Sequence, residues 1–239
     1  MTGSWIGEIV LGSGWLRYEG PVVSTETHAH HAVQIIDALQ SVEVRSAAGA
    51  ITTARLLMIP ADAAHQLTAE GQFAVMTYLE PTLVSTVSAP DPAAWARTAE
   101  SLGLGLGSGL AEQQVELLLA RLGSAGALAA DELVAAAAEE VRKRLPGPIR
   151  LTDIAAALSI SPSRLSHRFS TARGIPLGRW VLWERLQLAA SATARAQDLT
   201  SAAHAAGFAD SSHLHRTFRR MFGIAPSDVA RIARWRLSI

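Results

Sequence analysis

The chain has 239 residues and no cysteine, so it is long enough for two domains and excludes a disulfide framework or thiol chemistry. Its net charge of zero hides an asymmetry: residues 1–147 hold 8 Lys or Arg and 16 Asp or Glu (8 − 16 = −8), whereas residues 148–239 hold 13 Arg and 5 acids (13 − 5 = +8). The basic half suits a polyanionic partner and the acidic half argues against one there, while the lack of a leader pattern or a long apolar run predicts a soluble, cytoplasmic protein with no membrane partner.

Residues 5 to 79 read as short strands with turn punctuation. They are Trp5–Leu11, Gly14–Tyr18, Ala32–Leu39, Ser41–Ser46, Ala54–Ile59 and Phe73–Leu79. Gly12, Gly20-Pro21, Gly49, Pro60 and Gly71 break them, as expected of a β-sandwich or small barrel.

Within this region lies THAHHAVQI. Alternate residues of an extended strand share a face, so His28, His30 and Gln34 point one way, and His31 and Val33 the other. Further on, IPADAAHQL places His65 just after a turn, at a strand start. The two pieces resemble the cupin pattern: His-x-His with an acidic residue four positions on, then Pro-x-x-x-x-His, here Pro60 and His65. Gln34 takes the place usually held by Glu. Three neutral imidazoles and a carboxamide oxygen could hold one divalent metal such as zinc, nickel or iron. Two other readings stay open: direct binding of an organic effector, and polar residues satisfied among themselves.

From residue 92 the strand signals stop. Helices are expected at Pro92–Leu102, Leu110–Leu122 and Ala127–Leu145. Between the first two, LGLGLGSG (Leu102 to Gly109) lacks the Gly-Lys-Ser/Thr of a phosphate loop and reads as a flexible connector. The stripe Val115, Leu118, Leu119 and Leu122 is helix core or a dimer face. Arg142-Lys143-Arg144 suits a helix C-terminus, and Pro146-Gly147-Pro148 makes a hinge.

The last third holds one pattern twice, 48 residues apart: LTDIAAALSISPSRLSHRFSTARGIP from Leu151 and LTSAAHAAGFADSSHLHRTFRRMFGIAP from Leu199. Each copy runs polar cap, Ala-rich helix, tight turn, second helix and Phe, and a repeated supersecondary unit points to duplication. Each is a helix-turn-helix. In the first, Thr152 is the expected cap, Leu158 to Ser161 the turn, Ser161 and Pro162 the start of the second helix, and Leu165 and Phe169 its core side. In the second, Thr200 is the expected cap, Gly207 the turn residue, and Leu214 and Phe218 the core side. An amphipathic helix from Leu177 to Arg195, with Leu182, Leu186 and Ala189 inside, separates them. Its ~19 residues span ~28 Å, close to the ~34 Å repeat of DNA.

The segment 148 to about 234 resembles the DNA-binding domain of the AraC/XylS family of bacterial transcription regulators. GFADSSHLHRTFRRMFGIAPSDVAR (Gly207 to Arg231) carries the resemblance most specifically, and SPSRLSHRF with Gly174 fits the first half. The family's first turn usually has Gly where this chain has Ser159. The resemblance implies base-facing positions at Ser163, Ser166 and His167, and at Ser211, Ser212, His215 and Arg216, with Arg164, Arg168 and Arg219 suited to phosphates. It also implies double-stranded DNA as partner, an N-terminal cupin-like sensor binding a small-molecule or metal effector, RNA polymerase as a further partner if the protein is an activator, and pairing of two chains through helices beside the sensor. The fold expected is an α+β multidomain chain. It has a cupin-like β-barrel (1–90), a helical linker or dimerisation region (91–147) and an all-α DNA-binding domain with two helix-turn-helix units (148–239). The alternative function is a cupin metalloenzyme, of dioxygenase or isomerase type, fused to a DNA-binding domain.

Overall fold

In the computed structural model, which describes residues 5–84, 91–105, 110–122, 131–195, 198–230 and 234–238, seven strands form one sheet. They are β1 (Glu8–Gly12), β2 (Trp15–Val23), β3 (Val33–Ser46), β4 (Ile51–Ile59), β5 (His65–Thr68), β6 (Glu70–Leu79) and β7 (Arg234–Leu237). The order along the sheet is β4-β3-β6-β2-β1-β7. All pairs are antiparallel except β1 with β7. The N-terminal region is sheet-rich as expected, and among the described residues its sheet is open rather than closed into a barrel.

The chain divides into two compact units, Met1–Ser124 with His215–Ile239, and Ala125–Leu214.

The expected strands Ala32–Leu39 and Ser41–Ser46 are one strand, β3. Its register with β4 shifts between Asp37 and Val42, where Leu39, Gln40 and Ser41 are exposed. Such an irregularity bends a strand without ending it. One edge of β3 pairs with β4. The other pairs with β6 along Val33–Ala38 and with β5 along Glu43–Ser46. β5 therefore starts beside the far end of β3, and that start is His65.

Two helices cover the face that carries Val10, Ile35, Met58 and Leu79: α1 (Pro92–Ser101) and α2 (Ala111–Leu122). Asp91 caps α1, accepting from Ala94 N at 2.8 Å, with Pro92 at the first position, where a missing N–H costs nothing. Val115, Leu118 and Leu122 lie in this core and Leu119 packs against it, so the stripe on α2 is core. Leu104 is fully buried, and Arg121 donates to the Gly103 carbonyl at 2.7 Å. The connector is thus packed up to residue 105, and its positions 106–109 lie outside the described residues.

The second unit is helical: α3 (Glu132–Arg144), α4 (Leu151–Ala157), α5 (Pro162–Arg173), α6 (Leu177–Ala194), α7 (Leu199–Ala205) and the first turn of α8 (Ser211–Phe222). The expected start of α3 at Ala127 lies outside the described residues. Its core joins Val134, Ala138 and Val141 to Ile154, Leu165, Phe169 and Trp180. On α6, Leu186 and Ala189 are buried as expected, but Leu182 is half-buried, and Trp180 and Trp183 fill the centre instead. A last short helix, α9 (Pro226–Ala230), precedes β7.

Two expected caps are corrected. Arg150 occupies the N-cap of α4 without a side-chain bond, and Thr152 lies inside the helix. Asp198 caps α7, accepting from Thr200 N and Ser201 N at 2.9 and 3.0 Å, so Thr200 is the capped residue. A carboxylate accepts more strongly than a hydroxyl and suits the positive helix end. Ser161 caps α5 as expected, accepting from Arg164 N at 3.2 Å.

Candidate functional site

Two arrangements stand out. One is the pair of helix-turn-helix units. α4 and α5 meet through Ile154, Leu165 and Phe169, all fully buried. Their turn places Ser159 at φ 55°, a left-handed position usually given to Gly. In the second unit Gly207 takes φ 77°, and Asp210 accepts from His213 N at 2.6 Å to start α8.

Ser163, Arg164, His167 and Arg168 are exposed on α5, and Ser166 is half-exposed. On α8, Ser212, Arg216 and Arg219 are exposed, and Ser211 and His215 half-exposed. Leu214 is buried, whereas Phe218 is half-buried, and Thr217, Met221 and Phe222 carry the rest of the inward side. Two of the expected phosphate contacts have protein partners. Arg168 pairs with Asp131 at 2.7 Å, and Arg219 forms a two-pronged pair with Glu26.

The second arrangement is the histidine cluster. His28, His30 and His65 each bring one ring nitrogen to within 4.8 Å of the other two. A backbone bridge aligns two of them: His28 N donates to His65 O, and His65 N to His28 O, both at 2.9 Å. The turn after Pro60 is tied in by Asp62 N, which donates to His30 O at 2.8 Å.

The tautomers follow from the partners. Nδ1 of His28 faces Glu26 O at 2.9 Å, that of His30 faces Ala32 O at 2.7 Å, and that of His65 faces Ala63 O at 2.8 Å. A carbonyl only accepts, so each Nδ1 carries the proton and each Nε2 offers a lone pair. Gln34 stands beside them: its Oε1 lies 2.9 Å from His30 Nε2, and its Nε2 lies 3.0 Å from the Tyr78 hydroxyl. His31 points elsewhere, to Asp62 at 2.5 Å.

Burial keeps the imidazoles neutral. His30 is fully buried, and His28, His65 and Gln34 nearly so. Desolvation, with the charge of His30 as second cause, pushes His28 down to about 4. Burial also lowers His30 and holds His65 well below the ordinary histidine value. Neutral imidazoles with Nδ1 fixed by a carbonyl are the form that ligates metals.

Sequence reasoning placed the four polar residues and missed their neighbours. Tyr78 on β6 pairs with Gln34, and its ring meets Phe222 at 5.4 Å between centroids. Glu26 and Gly223 also lie here, with Glu26 N donating to Gly223 O at 2.9 Å. Tyr78 had a signal, since β6 alternates through Ala74, Met76 and Tyr78, and Tyr78 stands opposite Gln34 on the same face. The Glu26 contacts had none, because they join positions nearly 200 residues apart.

A family model described as a helix-turn-helix domain matches residues 154–232. The transcriptional activator RhrA of Rhizobium meliloti is 39% identical over 90 residues, which are 36% of this chain and 28% of that protein. Residues 154–232 therefore carry a helix-turn-helix domain. The match spans under a third of RhrA, so it characterises this domain alone.

The remainder has a likeness in fold. ToxT of Vibrio cholerae O395 matches with a TM-score of 0.57 at 11% identity, covering 92% of this chain and 98% of ToxT. Wild-type ToxT of strain SCE256 with an unsaturated fatty acid bound matches with a TM-score of 0.57 at 12% identity, over 91% and 95%. At such identity the likeness speaks for the fold alone. Among the described residues, no helix is long and apolar enough to cross a membrane.

Proposed function

We propose that this chain is a sequence-specific DNA-binding transcription regulator whose sheet domain takes up an effector, and that the effector site is the histidine cluster, loaded with one divalent cation such as zinc, nickel or iron. α5 and α8 present the base-reading residues, Ser163, Ser166 and His167, and Ser211, Ser212, His215 and Arg216. The relative RhrA is named a transcriptional activator, which favours a regulator over the metalloenzyme alternative.

The observation that carries the effector reading is the convergence of one ring nitrogen from each of three buried imidazoles within 4.8 Å, with each Nδ1 turned to a backbone carbonyl. His28, His30 and His65 would hold the ion, with Gln34 Oε1 as a fourth, uncharged donor. Borderline nitrogen ligands suit zinc, nickel and iron over calcium or magnesium. The ion supplies a fixed positive charge inside an otherwise neutral cluster. Around it the protein's own groups set tautomer and orientation: the carbonyls of Glu26, Ala32 and Ala63 hold the rings, and Tyr78 holds the amide.

A second reading keeps the same sheet domain and exchanges the ion for an organic effector. The fold shared with ToxT, solved with an unsaturated fatty acid, supports it.

The test is native mass spectrometry with elemental analysis on protein purified without a His-tag, alongside selection of bound duplexes from a randomised DNA library. About one metal per chain, lost in His28→Ala/His30→Ala, supports the cation. No metal overturns it and leaves the organic effector. Enrichment of one shared duplex sequence supports the regulator, and no enrichment rejects it. The same spectra report whether the chain is a dimer, and co-purification with RNA polymerase on the selected duplex tests that partner.

A further inference from the structure

The segment Thr25–Ala29 carries His28, and it is bonded along its length to the end of α8. Glu26 N donates to Gly223 O at 2.9 Å, and Ala29 N donates to Arg220 O at 3.4 Å. The Glu26 carboxylate accepts from Arg219 Nε at 2.9 Å and also from Arg219 Nη2. Gly223, at φ 68°, stands so close that a Cβ there would lie 2.5 Å from Glu26 O, 2.7 Å from His28 Nδ1 and 2.9 Å from Thr25 Cβ. The carbonyl that fixes the His28 tautomer is therefore the one Gly223 rests against. A second route runs from His30 through Gln34 and Tyr78 to the Phe222 ring.

We infer that this segment reports the state of the histidine cluster to α8, so that capture of a cation by His28, His30 and His65 holds Arg219 on Glu26 and weakens DNA binding. The inference rests on the cation reading above. A guanidinium fork uses the same paired N–H donors for a carboxylate as for a phosphate, so Glu26 and the DNA backbone compete for Arg219. An exposed ion pair is weak by itself. Here it sits on a segment whose backbone is held at Gly223 and Arg220 and whose histidine is a ligand. The cation favours the arrangement in which that segment is fixed, and DNA favours the one in which Arg219 is released. Binding linkage then requires each ligand to weaken the other by the same factor.

The experiment uses the full chain, zinc chloride and a duplex selected with the wild-type protein. DNA affinity is measured with and without zinc at several salt concentrations, for wild type, Glu26→Gln, Arg219→Gln and the double variant. Zinc uptake is measured on the same samples. Zinc is expected to lower wild-type DNA affinity by about fivefold or more. In Glu26→Gln that effect disappears, and the slope of log affinity against log salt steepens by about one unit as Arg219 gains a phosphate. In the Arg219→Gln background, Glu26→Gln leaves the slope unchanged. An equal gain from Glu26→Gln in both backgrounds overturns the inference, because it marks a general charge effect. Zinc taken up with no change in DNA affinity overturns the coupling and leaves the site standing. Zinc not taken up overturns both.

Discussion

Gln34 Oε1 lies 2.9 Å from His30 Nε2, while His30 Nδ1 is committed to Ala32 O at 2.7 Å. Two acceptors thus face each other in a site where Gln34 is almost wholly buried. Two arrangements relieve this. The amide can turn over, so that its NH2 donates to His30 and the Tyr78 hydroxyl donates to its oxygen. Alternatively, a cation between the two acceptors takes a lone pair from each. Only the second uses the amide oxygen as a ligand.

Gln34→Glu separates them. A carboxylate near the ion adds the charge that the amide lacks, so zinc affinity should rise by roughly ten- to a hundredfold in chelator competition. In metal-free protein the same change buries an acid, and the melting temperature should fall. A lower melting temperature with unchanged zinc affinity would mean that position 34 does not reach the ion.

The four polar residues of the cluster were legible because strand alternation and a turn before His65 are local signals. The helix-turn-helix units were legible for a similar reason: turn residues and apolar spacing fall within about 25 residues, although of the expected caps only Ser161 holds that place. The open sheet was not. Whether a sheet closes depends on pairings such as β1 with β7, which joins Glu8–Leu11 to Arg234–Leu237. The alternation of Trp235 and Leu237 with Arg234 and Arg236 is a strand signal, but four residues are too few to outweigh a helical context. Arg219 was legible as an exposed cation on α8. Its engagement with Glu26 depends on tertiary structure that no local pattern encodes.

Gly207 and Gly174 both adopt left-handed φ, at 77° and 70°. They differ in surroundings. A Cβ on Gly207 would lie 1.9 Å from the Pro146 carbonyl oxygen, and one on Gly174 would meet nothing within 4 Å. Gly174→Ala should therefore cost only the backbone term, about 1 kcal/mol. Gly207→Ala should cost at least about 3 kcal/mol, since backbone must move as well. Urea unfolding of both variants measures the difference, and equal losses would show that the Pro146 contact relaxes freely.

The capping assignments give a sharp contrast. Asp198→Ala removes an acceptor used by Thr200 N and Ser201 N, so it should cost about 1 kcal/mol. Thr200→Ala removes no cap and should stay within about 0.5 kcal/mol. Ser161→Ala should resemble Asp198→Ala, and Thr152→Ala should resemble Thr200→Ala. A larger loss from Thr200→Ala than from Asp198→Ala would restore the threonine as cap.

Arg216 is exposed on α8, whereas Arg219 is engaged with Glu26. If Arg216 reads a base, Arg216→Ala should weaken the selected duplex by about 1–3 kcal/mol and relax preference at one position. If it meets only a phosphate, all duplexes weaken alike and the salt slope falls by about one. Repeating the selection with the variant decides between these outcomes.

Acid stability should follow the buried histidines. The folded chain holds His28 at about 4 and lowers His30 and His65, whereas an unfolded histidine titrates near 6.5. Between these values the unfolded chain binds protons that the folded chain refuses. Stability is thus intact above about pH 6.5 and declines as pH falls towards 4, by roughly 3 kcal/mol for His28 alone. The carboxylates of Glu26, Glu112 and Glu140 are lowered from an ordinary value of 4.5 by their arginine partners, so their stabilising effect is lost only below that pH. The window from pH 6.5 to 4.5 therefore isolates the histidines. Urea midpoints of metal-free protein should fall steadily across it, and His65→Gln should flatten the slope. A midpoint that stays level until pH 4.5 would mean that the cluster accepts protons in the folded state, and with them a charge that opposes cation binding.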